Sequence, residues 1–477
     1  MSVEREAIAG LKWSGLSKLA SQIITWAITL VVLRILSPSD YGLMAILSVF
    51  IALLASVAEL GLGASLIQSK ELSREEIESV TGLVVVANLA AFLLLLISAP
   101  LIAAFYSEPR LTLLVRIAAF QFVFNALATV PQALAYRDMR FGWLAFVDLL
   151  VTTLGGVITI LIAWHGGGVW ALLLGNLAQN LLRALMLTYG NLPRLSFTRR
   201  GMRGHVEFGT VVALLRLIMQ VINQSDVIIA GRLLGPQAVG LYSVSLHFAT
   251  LPMQKIMGTI NQVAFPAVSK LQLEPERLRR RMLEATRLLL HVVVPLLWGM
   301  SATAPDLVHI VMGEKWSGAI RPMQVVCIAV PFQLLNAFYS TAALGMRDLR
   351  TNVYNVIVSA AILPGIFFLG ARWGVNGLAY AWMTAIPVVF LLRLPGTIKS
   401  VNVTPKDMFL VMWAPFLAAA LMYGAVTIGR VILVGDPAWI RVIVLVGIGA
   451  LCYIGVTLVI DRRAVRDAAH FLAALRA

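Results

Sequence analysis

The chain has 477 residues, of which 60% are hydrophobic and only 13% charged, with a mean hydropathy of +0.87 and a formal net charge of +15. That balance excludes an ordinary soluble globule, and apolar runs of about 20 residues recur from end to end. The positive charge is spread over short loops and forms no basic domain, which argues against a nucleic-acid partner.

Taken in chain order, the apolar runs between Pro, Gly and charge clusters predict helices at roughly 12–36, 39–67, 78–105, 111–136, 142–164 and 168–190. A polar stretch over 191–205 follows. A second set is expected at roughly 206–233, 237–268, 283–304, 318–345, 351–370 and 374–393, with a final pair near 408–430 and 438–460. The expectation is an all-α integral membrane protein of about 14 transmembrane helices. It would have an N-terminal six-helix lobe over 1–200, a second six-helix lobe over 201–400, and a helix pair with a cytoplasmic tail over 401–477. The 305–322 stretch, with Met312-Gly313-Glu314-Lys315-Trp316, reads as an interfacial turn. The first apolar run is as long as a true span and lacks a small-residue cleavage pattern, so it is expected to stay as the first helix. Cys327 and Cys452 fall inside apolar segments and read as core residues, with no disulfide framework and no metal site.

An internal repeat runs through this pattern. Arg34-Ile-Leu-Ser-Pro-Ser-Asp-Tyr-Gly-Leu43 reappears as Arg232-Leu-Leu-Gly-Pro-Gln-Ala-Val-Gly-Leu241. Arg137-Asp-Met-Arg140 is answered by Arg347-Asp-Leu-Arg350, and Gly168-Val169-x-x-Leu172 by Gly374-Val375-x-x-Leu378. Three echoes in the right order, each between corresponding helices, imply two halves of one orientation related by a rotation about the membrane normal. Lys and Arg are roughly three times as frequent in the loops on the side of the termini as on the other side, which places both termini in the cytoplasm.

Charge inside the bilayer costs about 2.5–3.5 kcal/mol per residue on insertion scales, so each such residue needs a reason. Arg183 and Arg287 lie near cytoplasmic helix ends and read as anchors whose side chains reach the headgroups. Arg116, near the outer end of the fourth helix, fits either an anchor or a ligand for substrate. Lys18 maps by the repeat onto Arg216, and Gln22 onto Gln220, so each half holds a cation and an amide four residues apart. Lys255 sits mid-span between Pro252 and Pro266. Lys18, Arg216, Lys255, Arg116, Gln22 and Gln220 are therefore the candidate substrate-binding residues, and their charge points to an anionic cargo. Glu59, Asp148 and Asp226 are the acids inside apolar segments. Each either neutralises a neighbouring cation or couples transport to an ion.

Enzymatic chemistry has little foothold. None of the eight lysines follows a glycine, so there is no phosphate-binding P-loop. The six histidines show no paired-ligand spacing, and no loop is long enough for a catalytic domain. No cofactor and no catalytic residue is expected. Prolines 131, 252, 295, 331, 364, 387 and 415 lie inside apolar spans, where they permit bending.

The run from Arg34 to Leu43, continued by Glu59-Leu-Gly-Leu-Gly-Ala-Ser-Leu-Ile-Gln68, resembles the opening of Wzx-type polysaccharide flippases. So do Asn223-Gln-Ser-Asp-Val-Ile-Ile-Ala-Gly-Arg-Leu-Leu-Gly235, Phe265-Pro-Ala-Val-Ser269 and Gly313-Glu-Lys-Trp316. The resemblance covers the first twelve helices and places the chain near the multidrug/oligosaccharidyl-lipid/polysaccharide exporter superfamily. It implies a multi-pass protein of the cytoplasmic (inner) membrane that moves undecaprenyl-pyrophosphate-linked sugar repeat units outward. Lipid-linked oligosaccharide and membrane lipids are the implied partners, together with a polysaccharide polymerase and chain-length machinery. A multidrug exporter, a lipid II flippase and a membrane-bound polysaccharide polymerase or ligase are the alternatives. The repeat-related cations weigh against the first, and the absence of a large outer loop weighs against the last.

Overall fold

The computed structural model describes residues 20–58, 66, 73–189, 216–346 and 348–461, with backbone alone at 259–267, 269–270 and 349. The described residues are helical almost throughout and include no strand. In chain order the helices are α1 (Ala20–Ile35), α2 (Pro38–Ala58), α3 (Arg74–Tyr106), α4 (Arg110–Arg137), α5 (Phe141–Trp164), α6 (Val169–Thr188) and α7 (216–223). There follow α8 (Ser225–Lys270), α9 (Pro275–Val311), α10 (Ile320–Gly345), α11 (Leu349–Ala371), α12 (Gly374–Ser400), α13 (Pro405–Ile432) and α14 (Ala438–Ile460). Among the described residues, 12 helices are long and apolar enough to cross a membrane, and α1 is apolar but shorter. Large apolar side chains also line the outer faces: Leu101 is 71% exposed and Leu451 and Val459 are 77% exposed. Helices that are apolar on every face belong in hydrocarbon, where the helix satisfies its own backbone polar groups.

Local chemistry explains where the helices begin. The Ser73 hydroxyl accepts the Glu76 N–H at 3.1 Å, and Glu75 and Glu76 follow in the first turn, so α3 starts four residues before the apolar run. At α13, Thr404 and Asp407 cap each other reciprocally, with Pro405 in the first turn. Helix α9 extends well outside the expected 283–304. Pro275 opens it, and Arg277 with Glu274 and Arg281 with Glu284, both at 3.0 Å, support a charged extension that hydropathy does not reveal. The 305–322 stretch is not the simple turn expected. Helix α9 runs through it to Val311, and a 3-10 helix over Glu314–Ala319 then buries Trp316 completely.

Contacts divide the chain into two compact units, Met1–Gly240 and Leu241–Ala477, the division falling inside α8. In the first unit α4, α5 and α6 share a core of Ala128, Ala135, Leu144, Val147, Val151, Ala184 and Leu187. Val32 of α1 and Leu36, just past its end, pack with Ala163 and Ala171 at the ends of α5 and α6. In the second unit α10, α11 and α12 pack on one another, and α9 carries α10, α13 and α14. Ser245 of α8 donates to the Ala319 carbonyl at 2.8 Å, and Trp382 donates to the hydroxyl of Tyr242.

The two copies of the repeated motif meet within the first unit. In the first copy Ser37 and Asp40 form a reciprocal cap: the Ser37 N–H donates to Asp40 at 2.9 Å, and the Asp40 N–H donates to the Ser37 hydroxyl at 3.3 Å. In the second copy Gly235 takes the place of Ser37, and its φ of 79° breaks the helical path before Pro236. The first turns that follow then pack reciprocally. A Cβ on Gly42 would overlap the Pro236 carbonyl and stand 2.9 Å from the Gly240 nitrogen; a Cβ on Gly240 would overlap the Pro38 carbonyl and stand 3.0 Å from the Gly42 nitrogen. Only glycine at both positions allows this backbone-to-backbone approach, and the exchange of partners is what a two-fold relation between the copies produces.

Candidate functional site

In the first unit, Lys18 and Glu59 lie outside the described residues. Gln22 is half-buried on α1; Arg216 is exposed and Gln220 half-buried on α7, one helical turn apart. The two amides that the repeat relates therefore have the same degree of burial. Backbone hydrogen bonds run through Gln224, from its N–H to Gln220 at 3.0 Å and from Ile228 N–H back to it at 2.9 Å, so α7 and α8 follow one another without losing the helical ladder. Arg116 is exposed on α4, six residues or about 9 Å of rise from the start of that helix, and forms no ion pair among the described residues.

The acids have local work. Asp148 on α5 pairs with Arg183 on α6 at 2.8 Å. Arg183, expected to serve only as an anchor, is thus held by a carboxylate. Asp226 is 2% exposed in the first turn of α8, and its Oδ1 accepts the N–H of Val227 at 2.8 Å. An acid at that position is favoured by the helix dipole. In the repeated motif, Arg232 donates to the Ser107 hydroxyl at 3.1 Å and its guanidinium lies 5.7 Å from the Phe105 ring. That contact ties α8 to the left-handed end of α3.

In the second unit Lys255 is exposed on α8, three residues after Pro252. Three further charged groups were not singled out from the sequence. The first joins Arg287 and His291 of α9 to Asp461 at the end of α14, at 3.6 and 3.4 Å, with the Tyr453 hydroxyl 2.8 Å from the other nitrogen of His291. Arg287, like Arg183, is paired where simple anchoring was expected. The second surrounds Asp306 of α9, which is 2% exposed: Arg441 of α14 donates to it and Arg430 of α13 lies 3.3 Å away. The third is Arg393 in α12, which hydrogen-bonds the hydroxyls of Ser340 and Ser359 at 2.9 and 3.4 Å. Each is formed by residues far apart in sequence, at positions that hydropathy assigns to helix ends or loops. The one signal available was the presence of a charge beside an apolar run.

Outside the spans, the Asp348 carboxyl caps α11 by accepting the Thr351 N–H at 3.0 Å, and it also takes the hydroxyls of Thr351 and Ser400. The Ser400 and Thr351 hydrogen bonds hold it below the usual aspartate range.

Comparison with known proteins follows the same lines. The family model described as "Polysaccharide biosynthesis protein" matches residues 31–321. The chain is 26% identical over 471 residues to the teichuronic acid biosynthesis protein TuaB of Bacillus subtilis (strain 168), covering 95% of each chain. It is 24% identical over 428 residues to the lipopolysaccharide biosynthesis protein WzxC of Escherichia coli (strain K12), covering 87% of this chain and 86% of that one. Its fold is similar to that of the lipid II flippase MurJ in an inward closed conformation, with a TM-score of 0.75 at 14% identity over 95% of this chain and 99% of the other.

Proposed function

Because this chain belongs to the polysaccharide biosynthesis protein family, with the family model matching residues 31–321, we propose that it is a flippase for undecaprenyl-pyrophosphate-linked oligosaccharide repeat units. The observation that carries this reading is that match, in a chain whose described residues include 12 helices of membrane length. The chemistry of the cargo agrees with the residues. A pyrophosphate sugar headgroup does not cross hydrocarbon unaided, because losing its hydration costs many kcal/mol. Lys18, Arg216 and Lys255, assisted by Arg116, Gln22 and Gln220, replace that hydration with charge-assisted hydrogen bonds.

In this reading the protein resides in the cytoplasmic membrane with both termini in the cytoplasm, supported by the excess of Lys and Arg in the loops on that side. Fourteen crossings form two six-helix lobes and a C-terminal pair. The break at Gly235 supports the count, since it ends one apolar segment where the next begins. The lobes open in turn to either side. Without a nucleotide site, net export is driven by an ion gradient or by removal of product outside. Glu59, Asp148 and Asp226 are the candidate coupling acids.

The test is complementation of a strain deleted for its own repeat-unit flippase. The wild-type chain restores surface polysaccharide, and the Lys18→Ala/Arg216→Ala double variant, present in the membrane at equal level, does not. A double variant that restores export removes the site. A wild-type chain that rescues loss of the lipid II flippase but not of the repeat-unit flippase reassigns the cargo. In proteoliposomes, transport indifferent to Asp226→Asn, to Glu59→Gln and to a collapsed proton gradient leaves product removal as the drive.

A further inference from the structure

Among the described residues Arg393 has no counter-charge. It is the last residue of the helix expected over 374–393, but α12 continues to Ser400 and holds it about two turns inside the helix. Its partners are neutral hydroxyls: Ser340 of α10 at 2.9 Å and Ser359 of α11 at 3.4 Å. Its Nε–H is buried and has no partner, and among the described residues no carboxylate lies within ion-pair distance. The acid at this end of the same three helices, Asp348, accepts hydrogen bonds from Thr351 and Ser400. One turn before Ser359 on α11 stands Asn355, 2% exposed, with both amide atoms of its side chain buried and unpartnered.

Other cations of this unit do have a carboxylate: Arg441 and Arg430 lie against the buried Asp306, and Arg287 against the half-buried Asp461. A half-buried guanidinium with its Nε–H buried and no carboxylate beside it is costly, and a buried amide with no partner forfeits about 1–3 kcal/mol. The Ser359 hydroxyl donates to the Asn355 carbonyl at 2.9 Å, so the donors left are the Arg393 Nε–H, the Asn355 amide N–H and the Ser340 hydroxyl, carried by three helices that pack on one another. That is a donor set for an anion.

We propose that the wedge between α10, α11 and α12 binds a small anion at Arg393, Asn355 and Ser340, with Ser359 holding the guanidinium, separate from the cations assigned to the cargo. The anion is a free ion such as chloride or inorganic phosphate, or the phosphate of a lipid headgroup. It neutralises Arg393 and braces the three helices against one another, so that its binding stabilises the folded chain.

The test is thermal unfolding of the purified full-length protein in detergent, followed by tryptophan fluorescence, in potassium gluconate and with potassium chloride or phosphate added at constant ionic strength. The expected result is a saturable rise in Tm of several degrees with chloride or phosphate, lost in Arg393→Met and retained in weakened form in Arg393→Lys. In Asn355→Ala the half-saturating concentration rises roughly tenfold, the loss of one hydrogen bond to a charged group. A parallel arm compares nanodiscs of phosphatidylglycerol and phosphatidylcholine, both in gluconate. Stabilisation confined to phosphatidylglycerol assigns the anion to a headgroup of net negative charge, equal stabilisation in both lipids to the phosphate they share, and stabilisation by the free ions assigns it to solution. A wild-type Tm unchanged in every arm overturns the site, as does an Arg393→Met variant that keeps the full response. If Arg393→Met does not fold, an unshifted half-saturation in Asn355→Ala overturns it equally.

Discussion

Adding one methyl group at Gly42 tests the contact between the two motif copies. The Cβ of Gly42→Ala falls on the carbonyl of Pro236, and that of Gly240→Ala on the carbonyl of Pro38. Neither obstacle is a side chain that rotates away; both are backbone in the first turn of a helix. Overpacking of this kind costs about 1–3 kcal/mol, and the lack of a yielding rotamer places each variant toward the upper part of that range. The reciprocal geometry makes a sharper claim. Once the two first turns separate to admit one methyl, the second position gains room as well. The double variant Gly42→Ala/Gly240→Ala is therefore expected to cost little more than either single change, a coupling of about 1–3 kcal/mol. Gly235→Ala is the control. Its position has open space and only the strain of φ 79°, so it is expected to cost about 1 kcal/mol and to add to Gly42→Ala. The assay is thermal unfolding in detergent, with hydrogen exchange of the amides at 39–46 and 237–246 to localise the loosening. Strict additivity of Gly42→Ala and Gly240→Ala would refute the reciprocal contact.

Asp306→Asn leaves Arg441 and Arg430 without their carboxylate. With Asp306 2% exposed but Arg430 37% exposed, a loss near the lower end of the 3–5 kcal/mol range for broken buried pairs is expected, about 3 kcal/mol. A cycle with Arg441→Gln reads the coupling, and a coupling near zero would contradict the geometry. Thr404→Ala removes the capping box of α13 and is expected to destabilise by about 1 kcal/mol, read as faster exchange of the first-turn amides. Asp348 contributes stability that is present above its ordinary pKa of about 3.9 and disappears as pH falls through its lowered folded value. The unfolding temperature of wild type is therefore expected to fall more steeply on acidification below about pH 4 than that of Asp348→Asn. Equal slopes would show that the cap does not titrate with folding.

The helices of this protein were legible in the sequence because a bilayer asks one thing of each segment, and that requirement is local. About 20 apolar residues between breakers suffice, so α5, α6 and α14 match the expected spans within a few residues. The repeat was legible for a related reason. Pro38 with Gly42 and Pro236 with Gly240 are the residues on which two helix starts close, and each pair is short-range in sequence. Neither copy alone announced that it packs on the other, since that depends on where two distant backbones run. Charges were the least readable. Hydropathy marks a residue as apolar or costly, but whether the cost is offset depends on a partner more than a hundred residues away, as for Asp306 with Arg441 or Arg287 with Asp461. For Arg393 the expected helix end fell short by about two turns, because an extended α12 looks no different in sequence from a helix that ends sooner. Composition and periodicity determined which segments enter the membrane; only the tertiary structure decided which charges meet there, because pairing is set by packing between helices and not by the order of residues along any one of them.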